Sequence, residues 1–271
     1  MSRAGDNLIN APPKRASASC GPEGAGAPLT RCRSDNRGLT PTRASTDGMC
    51  RSCSDQAREI TERQRRLTYL KSARAFAATV EAKDPYTRRH SLMVSDYAVE
   101  LGAQLKLPPA RLELLRIAAL LHDIGKIGVP DAILQKPGPL TPAEFGLIKR
   151  HPTLATDILG RAGLFEDELP IILHHHEWYD GSGYPAGLAG RGIPLEARIL
   201  NVADALDAML SPRTYKPGYG IERVRRELID YSGRQFDPHL VPITVKWLDR
   251  RPERFLRGNG GAPKELVPVG P

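Results

Sequence analysis

A polar pair at the end of an apolar helix constrains this chain more than any other feature. The segment ARLELLRIAALLHDI (110–124) has apolar residues at helical spacing, and His122 and Asp123 follow its most apolar stretch. Burying an imidazole and a carboxylate costs free energy unless something compensates for their polarity. A metal ion is a natural compensator, since adjacent helical residues point about 100° apart and can serve two ions, or one ion and a bridging position. The pair therefore predicts a helical fold around a metal site.

The rest of the chain also favours helices. Apolar residues recur at helical intervals in several further segments, and Pro-Gly or Pro-Pro separates some of them. These segments are 91–105, 141–151, 154–162, 168–176, 196–210 and 220–232. No stretch alternates convincingly with a period of two residues. We therefore predict an all-α fold, a compact multi-helix bundle with a preceding long helix and disordered termini.

Composition changes at both ends of the chain. Residues 1–54 are predicted to be disordered, because most of this segment is rich in Gly, Pro, Ala, Ser and Arg and residues 1–48 contain no aromatic residue. Gly and Pro return after Pro252, which predicts a flexible tail over residues 251–271. The folded domain is expected between these segments, over residues 80–250.

One long amphipathic helix is predicted over residues 55–83. Apolar residues including Ile60, Leu67 and Val80 recur there at three-, four- and seven-residue intervals, with Arg and Glu between them. Two interpretations stay open. The helix packs on its own domain, or it is a connecting or signalling helix through which the protein forms a homodimer.

Charge and cysteine content narrow the class of protein. The net charge of +8 suits an anionic small ligand as well as nucleic acid, and it decides for neither. All four cysteines lie before the predicted domain, so we expect no disulfide framework; Cys50 and Cys53 alone could form half of a zinc site.

No apolar run approaches the roughly 18 residues of a membrane-spanning helix. No secretion signal is evident, and we predict a cytoplasmic protein without a membrane partner.

Three consecutive histidines, His174 to His176, directly precede a glycine-rich loop that ends in Gly183, Tyr184 and Pro185. Taken alone, this run could equally be a solvated helix end. A single histidine such as His90 or His151 is more often a hydrogen-bonded residue at a helix end than a metal ligand. The histidine run becomes informative only because other polar groups fall in the same helical region.

Two carboxylates add to this set. Asp204 and Asp207 are three residues apart and share one face of an otherwise apolar helix. No cysteine lies near them, so the candidate ligands are imidazoles and carboxylates only. Such a set suits iron, manganese or zinc better than a thiolate-bound structural zinc.

The ordered series of motifs resembles that of the HD-GYP family, a branch of the HD-domain metal-dependent phosphohydrolases. HDIGK (122–126) and HHEWYDGSGYP (175–185) carry most of the resemblance. The other matching segments are EAKDPYTRRHS (81–91), KIGVPDAILQKPGPLT (126–141), HP (151–152), ARILNVADALDAM (197–209), RTYK (213–216) and QFDP (235–238). A lone His-Asp pair would be weak evidence for this family, whereas the ordered series of motifs is specific. The resemblance implies that residues 80–250 form an HD-GYP phosphohydrolase domain.

The resemblance implies a metal cluster with two divalent ions, iron or manganese. Its ligands would be His90, His122, Asp123, His151, His175, His176 and Asp204. Tyr86 occupies the position where some family members carry a glutamate that supports a third ion, which is why we expect two ions. His174 falls outside this ligand set.

The resemblance also implies cyclic di-GMP as substrate, and not nucleic acid. Asp123 and Lys126 would be catalytic, with Asp123 anchoring the ions and Lys126 reaching a phosphate oxygen or a bound water. The expected substrate contacts are Tyr184, Asp207, Arg213 and Lys216. Arginine offers a forked set of donors to phosphate and lysine offers a point charge, which suits these positions.

One segment departs from the family pattern. The family usually has Ser-Asp-Arg-Pro-Tyr around its substrate-binding arginine, whereas this chain has Ser211, Pro212, Arg213, Thr214 and Tyr215. Three functions therefore stay open. They are hydrolysis of cyclic di-GMP to linear pGpG or GMP, hydrolysis of another cyclic dinucleotide, and a signalling adaptor that binds a cyclic dinucleotide or a signalling protein without useful turnover.

Overall fold

The computed structural model describes residues 51–83, 89–211 and 218–250. Its α-helices are α1 (Arg51–Lys83), α2 (His90–Gln104), α3 (Pro109–Leu121), α4 (Asp131–Leu134), α5 (Pro142–Ile148), α6 (His151–Arg161), α7 (Leu169–His174), α8 (Leu195–Leu210), α9 (Ile221–Asp230) and α10 (Leu240–Arg250). Short 3₁₀ turns occur at Ile124–Gly128 and Gly190–Gly192. Within the described ranges there is no β-strand, so the prediction of an all-α fold is confirmed.

Contacts divide the chain into two units, residues 1–69 and 70–271. The described part of the first unit is the beginning of α1, which starts at Arg51 and so before the predicted residue 55. The segments predicted to be disordered, apart from residues 51–54, lie outside the described residues. None of the described helices is long and apolar enough to cross a membrane.

The second unit is built around α2, α3 and α8. Helix α2 packs on both α3 and α8, and α6 packs on α7 and on the 3₁₀ turn that follows α3. Their shared interior is apolar and includes the fully buried side chains of Leu115, Ile172, Leu200 and Leu206. Burying one such side chain stabilises the folded protein by about 1.5–3 kcal/mol. The apolar interior therefore fixes the helices whose ends carry the polar groups.

The breaks between helices fall where the polar motifs lie. At these places the helices predicted from the sequence were too long. Helix α3 ends at Leu121, so His122 and Asp123 follow it instead of lying inside one helix over 110–124. The predicted helix over 141–151 is likewise two elements, because α5 ends at Ile148 and α6 begins at His151. Prolines at the first turns of α3, α5 and α6 favour these starting points, since proline lacks an N–H that the first turn would leave unpaired.

Lys83, the last residue of α1, is tied to the segment that follows the His-Asp motif. Its amino group donates hydrogen bonds to the carbonyl oxygens of Ile127 at 2.7 Å and Val129 at 2.6 Å. It also lies 3.3 Å from a carboxylate oxygen of Asp131. The end of α1 therefore holds the chain just beyond Lys126.

Gly125 allows the turn after α3 to approach α6 closely. A Cβ atom at this position would overlap the carbonyl oxygen of His151 and would lie 2.6 Å from the amide nitrogen of Ala155. Both neighbours are backbone atoms, which cannot move away as the end of a side chain can. Glycine at this position therefore brings the His-Asp pair next to the start of α6.

We expect Gly125→Ala to destabilise the protein by about 3 kcal/mol or more, because forcing one extra methyl group into a packed interior costs about 1–3 kcal/mol even where side chains can adjust. Urea unfolding followed by circular dichroism measures the change. Gly146→Ala is the matched control, since a Cβ there meets nothing within 4 Å and alanine favours helix α5 by about 0.5–1 kcal/mol. Equal effects of the two substitutions would contradict the close backbone contact.

Candidate metal centre

Helix ends bring the predicted ligands together. His90 begins α2, His122 and Asp123 follow α3, His151 begins α6, and His175 and His176 follow α7. Asp204 reaches the same place from within α8. All seven predicted ligands thus converge, although nothing in the local sequence requires segments so far apart in the chain to meet.

Three of the histidines are oriented by the same backbone hydrogen bond. In His122, His151 and His175 the ring Nδ1 lies 2.7–2.8 Å from the carbonyl oxygen three residues earlier. The acceptors are the carbonyl groups of Ala119, Ile148 and Ile172. Because a carbonyl oxygen only accepts, each Nδ1 carries the proton, and each Nε2 presents a lone pair to the interior.

These lone pairs face one another. Nε2 of His151 lies 3.4 Å from Nε2 of His175, and both rings are buried. Two lone pairs at this distance cannot form a hydrogen bond, because neither nitrogen has a proton to donate. A cation between them removes the conflict, so the residues present fit a bound metal ion.

Asp123 lies between two groups of potential ligand atoms and belongs to a third, with His122 and His175. The atoms of His151, His175 and His176 lie within 4.8 Å of one another, as do those of a second group, His90, His122 and Asp204. One oxygen of Asp123 is 3.5 Å from Nε2 of His151, and the other is 3.5 Å from Nε2 of His122. A carboxylate in this position can bridge two cations.

Burial keeps the first group of histidines neutral. It lowers the pKa of His151 to about 4 and that of His176 to about 3, and it holds the pKa of His175 well below the usual range. A neutral imidazole is the form that binds metal. At neutral pH these three side chains are therefore already in the ligand form.

The carboxylates stay charged despite their burial. Burial alone would raise the pKa of Asp123, but the charge of Lys126, whose amino group is 2.6 Å from Asp123 Oδ2, acts together with the neighbouring histidines and holds the pKa well below the usual value. For Asp204, burial would also raise the pKa, but the hydrogen bond and charge of His90 act together with His122 and His176 and lower it. Negative charge therefore concentrates beside the neutral imidazoles, as a cation site requires.

Asp207 lies behind His90. Burial alone would lower the pKa of His90, but hydrogen bonds to Asp204 and Asp207 raise it to about 10. The other oxygen of Asp207 accepts from the hydroxyl of Ser211 at 3.0 Å, and the Asp207 side chain is buried. Both oxygens of Asp207 thus engage neighbouring side chains, and its contact with substrate stays a prediction.

The glycine-rich loop is held by Glu177, which is buried and directly follows His176. Its two carboxylate oxygens accept from the backbone amides of Ala186 at 2.7 Å and Leu188 at 3.1 Å. Gly183 permits the close return of the loop, because a Cβ there would lie 2.6 Å from the carbonyl oxygen of His176. The loop is therefore fixed to the residue next to a candidate ligand.

Tyr184 lies at the edge of the centre. Its ring centroid is 4.9 Å from that of His176. Burial, together with the charges of Asp204 and Asp123, raises the pKa of Tyr184, so its hydroxyl stays protonated and can donate a hydrogen bond. This location suits the predicted contact with substrate.

His174 is set apart from the other two histidines of the run. Its Nδ1 is 3.5 Å from Glu177, and among the described residues it belongs to none of the groups that could hold an ion. The same position outside the ligand set follows from the family motif. Tyr86, Arg213 and Lys216, by contrast, lie outside the described residues.

Two residues near the centre were missed by the sequence analysis. Asn201, which is buried, donates from Nδ2 to the carbonyl oxygen of His175 at 2.8 Å. Lys149 places its amino group over the ring of Tyr184, 5.3 Å from the centroid. The position of Asn201 three residues before Asp204, on the same face of α8, was the available signal for it.

Comparisons with known proteins agree with this geometry. The chain matches the HD domain family over residues 55–240. It is 43% identical over 190 residues to the cyclic di-GMP phosphodiesterase response regulator RpfG of Xanthomonas campestris, covering 69% of this chain and 49% of the relative. A cyclic di-GMP phosphodiesterase of Thermotoga maritima is 41% identical over 168 residues, with 61% and 46% covered. A 3'3'-cGAMP-specific phosphodiesterase of Vibrio cholerae is 35% identical over 193 residues, with 70% and 36% covered.

The chain spans about half of the length of these relatives or less. Solved structures support the fold alone. The HD-GYP protein Bd1817 of Bdellovibrio bacteriovorus is similar with a TM-score of 0.50 and 24% identity, covering 59% of this chain and 51% of that one. A cyclic GMP-AMP-specific phosphodiesterase of V. cholerae has a TM-score of 0.51 and 21% identity, covering 68% and 50%.

The histidine run allows a direct test of the ligand assignment. We expect His176→Ala to lose most of the manganese that the purified protein retains after loading and desalting, because one ring nitrogen of the first group is removed. His174→Ala should retain it, since its ring lies outside the groups of ligand atoms. Elemental analysis of the two variants measures the difference, and the reverse result would show that the register of the run is wrong.

The metal-free protein is expected to lose stability as the pH falls from about 6.5 towards 4. The pKa of His151 is about 4 and that of His176 about 3, against 6.5 for the unfolded side chain, so the unfolded chain binds more protons in this window. Each unit of pKa difference corresponds to about 1.4 kcal/mol. His90, whose pKa is raised to about 10, acts in the window above 6.5 instead.

Urea unfolding with a chelator present, at several values between about pH 7 and pH 4.5, measures this slope. His151→Gln should flatten it, because the substitution removes one of the buried titrating rings. His239→Gln is the control, since it removes an exposed imidazole that is not one of the predicted ligands. A slope unchanged in His151→Gln would contradict the assignment.

Proposed function

Since the chain belongs to the HD domain family and to its HD-GYP branch, we propose that it is a metal-dependent phosphodiesterase that hydrolyses cyclic di-GMP to linear pGpG or GMP. The observation that carries the proposal is the pair of ligand groups joined by Asp123, with lone pairs of buried imidazoles directed at each other. Relatives at 36–43% identity named cyclic di-GMP phosphodiesterases support the substrate.

The proposed cofactors are two divalent ions, iron or manganese. One would be held by His151, His175 and His176, and the other by His90, His122 and Asp204, with Asp123 shared. When bound, such ions supply Lewis acidity and a nucleophile derived from water. The imidazole and carboxylate ligands, without thiolate, are those that iron and manganese accept.

Asp123 and Lys126 are proposed to act as a unit. The Lys126 amino group, 2.6 Å from Asp123 Oδ2, keeps that carboxylate ionised and oriented towards the ligand histidines. The same amino group has further N–H donors, which can bind a non-bridging oxygen of the phosphate as negative charge develops there. Lys126 is partly exposed, as contact with a substrate requires.

The remaining residues would position the substrate and the ligands. Tyr184 would donate a hydrogen bond from its protonated hydroxyl to the nucleotide, while Glu177 holds the loop that carries it. Asp207 is proposed to orient His90, with which it shares a hydrogen bond, and it stays a predicted substrate contact. Arg213 and Lys216 stay predicted phosphate contacts.

A second candidate substrate is a mixed cyclic dinucleotide. Three relatives of V. cholerae at 35–37% identity are named 3'3'-cGAMP-specific phosphodiesterases. Both candidates use the same phosphodiester chemistry and differ in one base. The metal centre does not distinguish them, so discrimination must come from residues that contact the bases.

Two predictions about the surroundings of the protein stay predictions. A homodimer through residues 55–83 would use apolar side chains of α1, and Ile60 is 70% exposed and Leu67 43% exposed there. A cytoplasmic location is the setting in which a cyclic dinucleotide messenger would be met. Neither bears on the chemistry of the centre.

We expect the double substitution His122→Ala and Asp123→Ala to abolish hydrolysis of cyclic di-GMP with manganese or ferrous iron, because it removes one ligand and the shared carboxylate. Chromatographic separation of substrate, pGpG and GMP measures the loss, and a parallel assay with 3'3'-cGAMP ranks the two substrates. Circular dichroism should still report a helical protein. Full activity in the double variant would refute the mechanism, and His239→Ala is the control for an exposed histidine.

A further inference from the structure

A row of side chains leads from the surface of α5 to the candidate metal centre. The amino group of Lys149 lies over two aromatic rings, 5.0 Å from the centroid of Phe145 and 5.3 Å from that of Tyr184. The ring of Tyr184 in turn lies 4.9 Å from that of His176. Phe145 and Lys149 therefore belong to the rim of the centre, although neither appears in the ligand set or in the mechanism above.

The rim is exposed but well supported. Phe145 is 45% exposed, Lys149 is exposed, and α5 contains no buried residue. The helix is nevertheless fixed at its start by reciprocal hydrogen bonds between Thr141 and Glu144. Lys136 adds an ion pair to Glu144 at 2.7 Å. An exposed ring on a supported helix is pre-organised to receive a flat ligand.

The chemistry of the proposed substrate requires such a rim. A cyclic dinucleotide has two phosphates and two purine bases, whereas the two ligand groups joined by Asp123 can act on one phosphate at a time. The second half must therefore rest on residues beside the centre. Aromatic rings stack on any base, and a lysine held over ring faces still offers N–H donors to a phosphate.

We propose that Phe145 and Lys149 form the subsite for the half of the cyclic dinucleotide that is not being cleaved. The ring of Phe145 stacks on its purine base, and the amino group of Lys149 binds its phosphate. Lys149 contacts both rings, and this keeps its positive charge between Phe145, on which the base would stack, and Tyr184, which lies at the edge of the metal centre. This assignment rests on the proposed function, and it gives that function a residue that can influence substrate choice.

The test compares cyclic di-GMP with bis(p-nitrophenyl) phosphate, a phosphodiester that has no second nucleotide. In Phe145→Leu and Lys149→Met, KM for cyclic di-GMP should rise roughly tenfold more than KM for the small ester, since one variant loses the stacking ring and the other the charge that binds the second phosphate. Phe145→Tyr and Lys149→Arg retain the ring and the charge, and they should restore most of the affinity. Lys246→Met, an exposed lysine of α10, is the matched control.

The outcomes separate the two proposals. If the unaltered protein hydrolyses cyclic di-GMP but Phe145→Leu and Lys149→Met change KM for the two substrates equally, the subsite is refuted and the function stands. If the unaltered protein cleaves only the small ester, both proposals fail. Recovery in Phe145→Tyr but not in Phe145→Leu supports stacking over simple apolar packing.

Discussion

Buried nitrogen lone pairs that face each other are the constraint on which the rest of this structure depends. The Nδ1 hydrogen bonds of His151 and His175 fix the tautomer of each ring, so the two inward nitrogens cannot form a hydrogen bond with each other. An interior with this arrangement is costly without a cation. The close approach at Gly125, the clamp on the loop by Glu177 and the support of His175 by Asn201 all hold the arrangement in place.

The candidate metal centre is assembled at helix ends, so the breaks between helices are what allow its side chains to meet. A residue at a helix end can turn its side chain inwards while its neighbours leave the helix, as His122 and Asp123 do after α3. The prolines at the starts of α3, α5 and α6 and the tight turn at Gly125 are therefore features of the centre as much as of the fold.

Much of this arrangement could be predicted from the sequence because its signals are local. Helical spacing predicts the all-α class, and the resemblance carried by the motifs implies a ligand set with His174 outside it. The contacts of Asp207 and Glu177 could not be predicted in the same way. Spacing places Asp207 on the face of Asp204 but does not say which helix lies opposite, and the partners of Glu177 are backbone amides whose position depends on the path of the loop. Helix ends were also missed, since Gly125 acts through a neighbour distant in the chain.

The convergence of five helices on one point has a consequence for the life of the protein in the cell. His90 and Asp204 are far apart in the chain, so an unfolded molecule cannot assemble the ligand groups, and ions would bind the native state alone. At a free metal concentration about a hundredfold above the dissociation constant, such binding adds about 2.7 kcal/mol to the free energy of unfolding. Metal supply would then affect resistance to proteolysis as well as the proposed activity, and scarcity of the ion would lower the amount of folded protein.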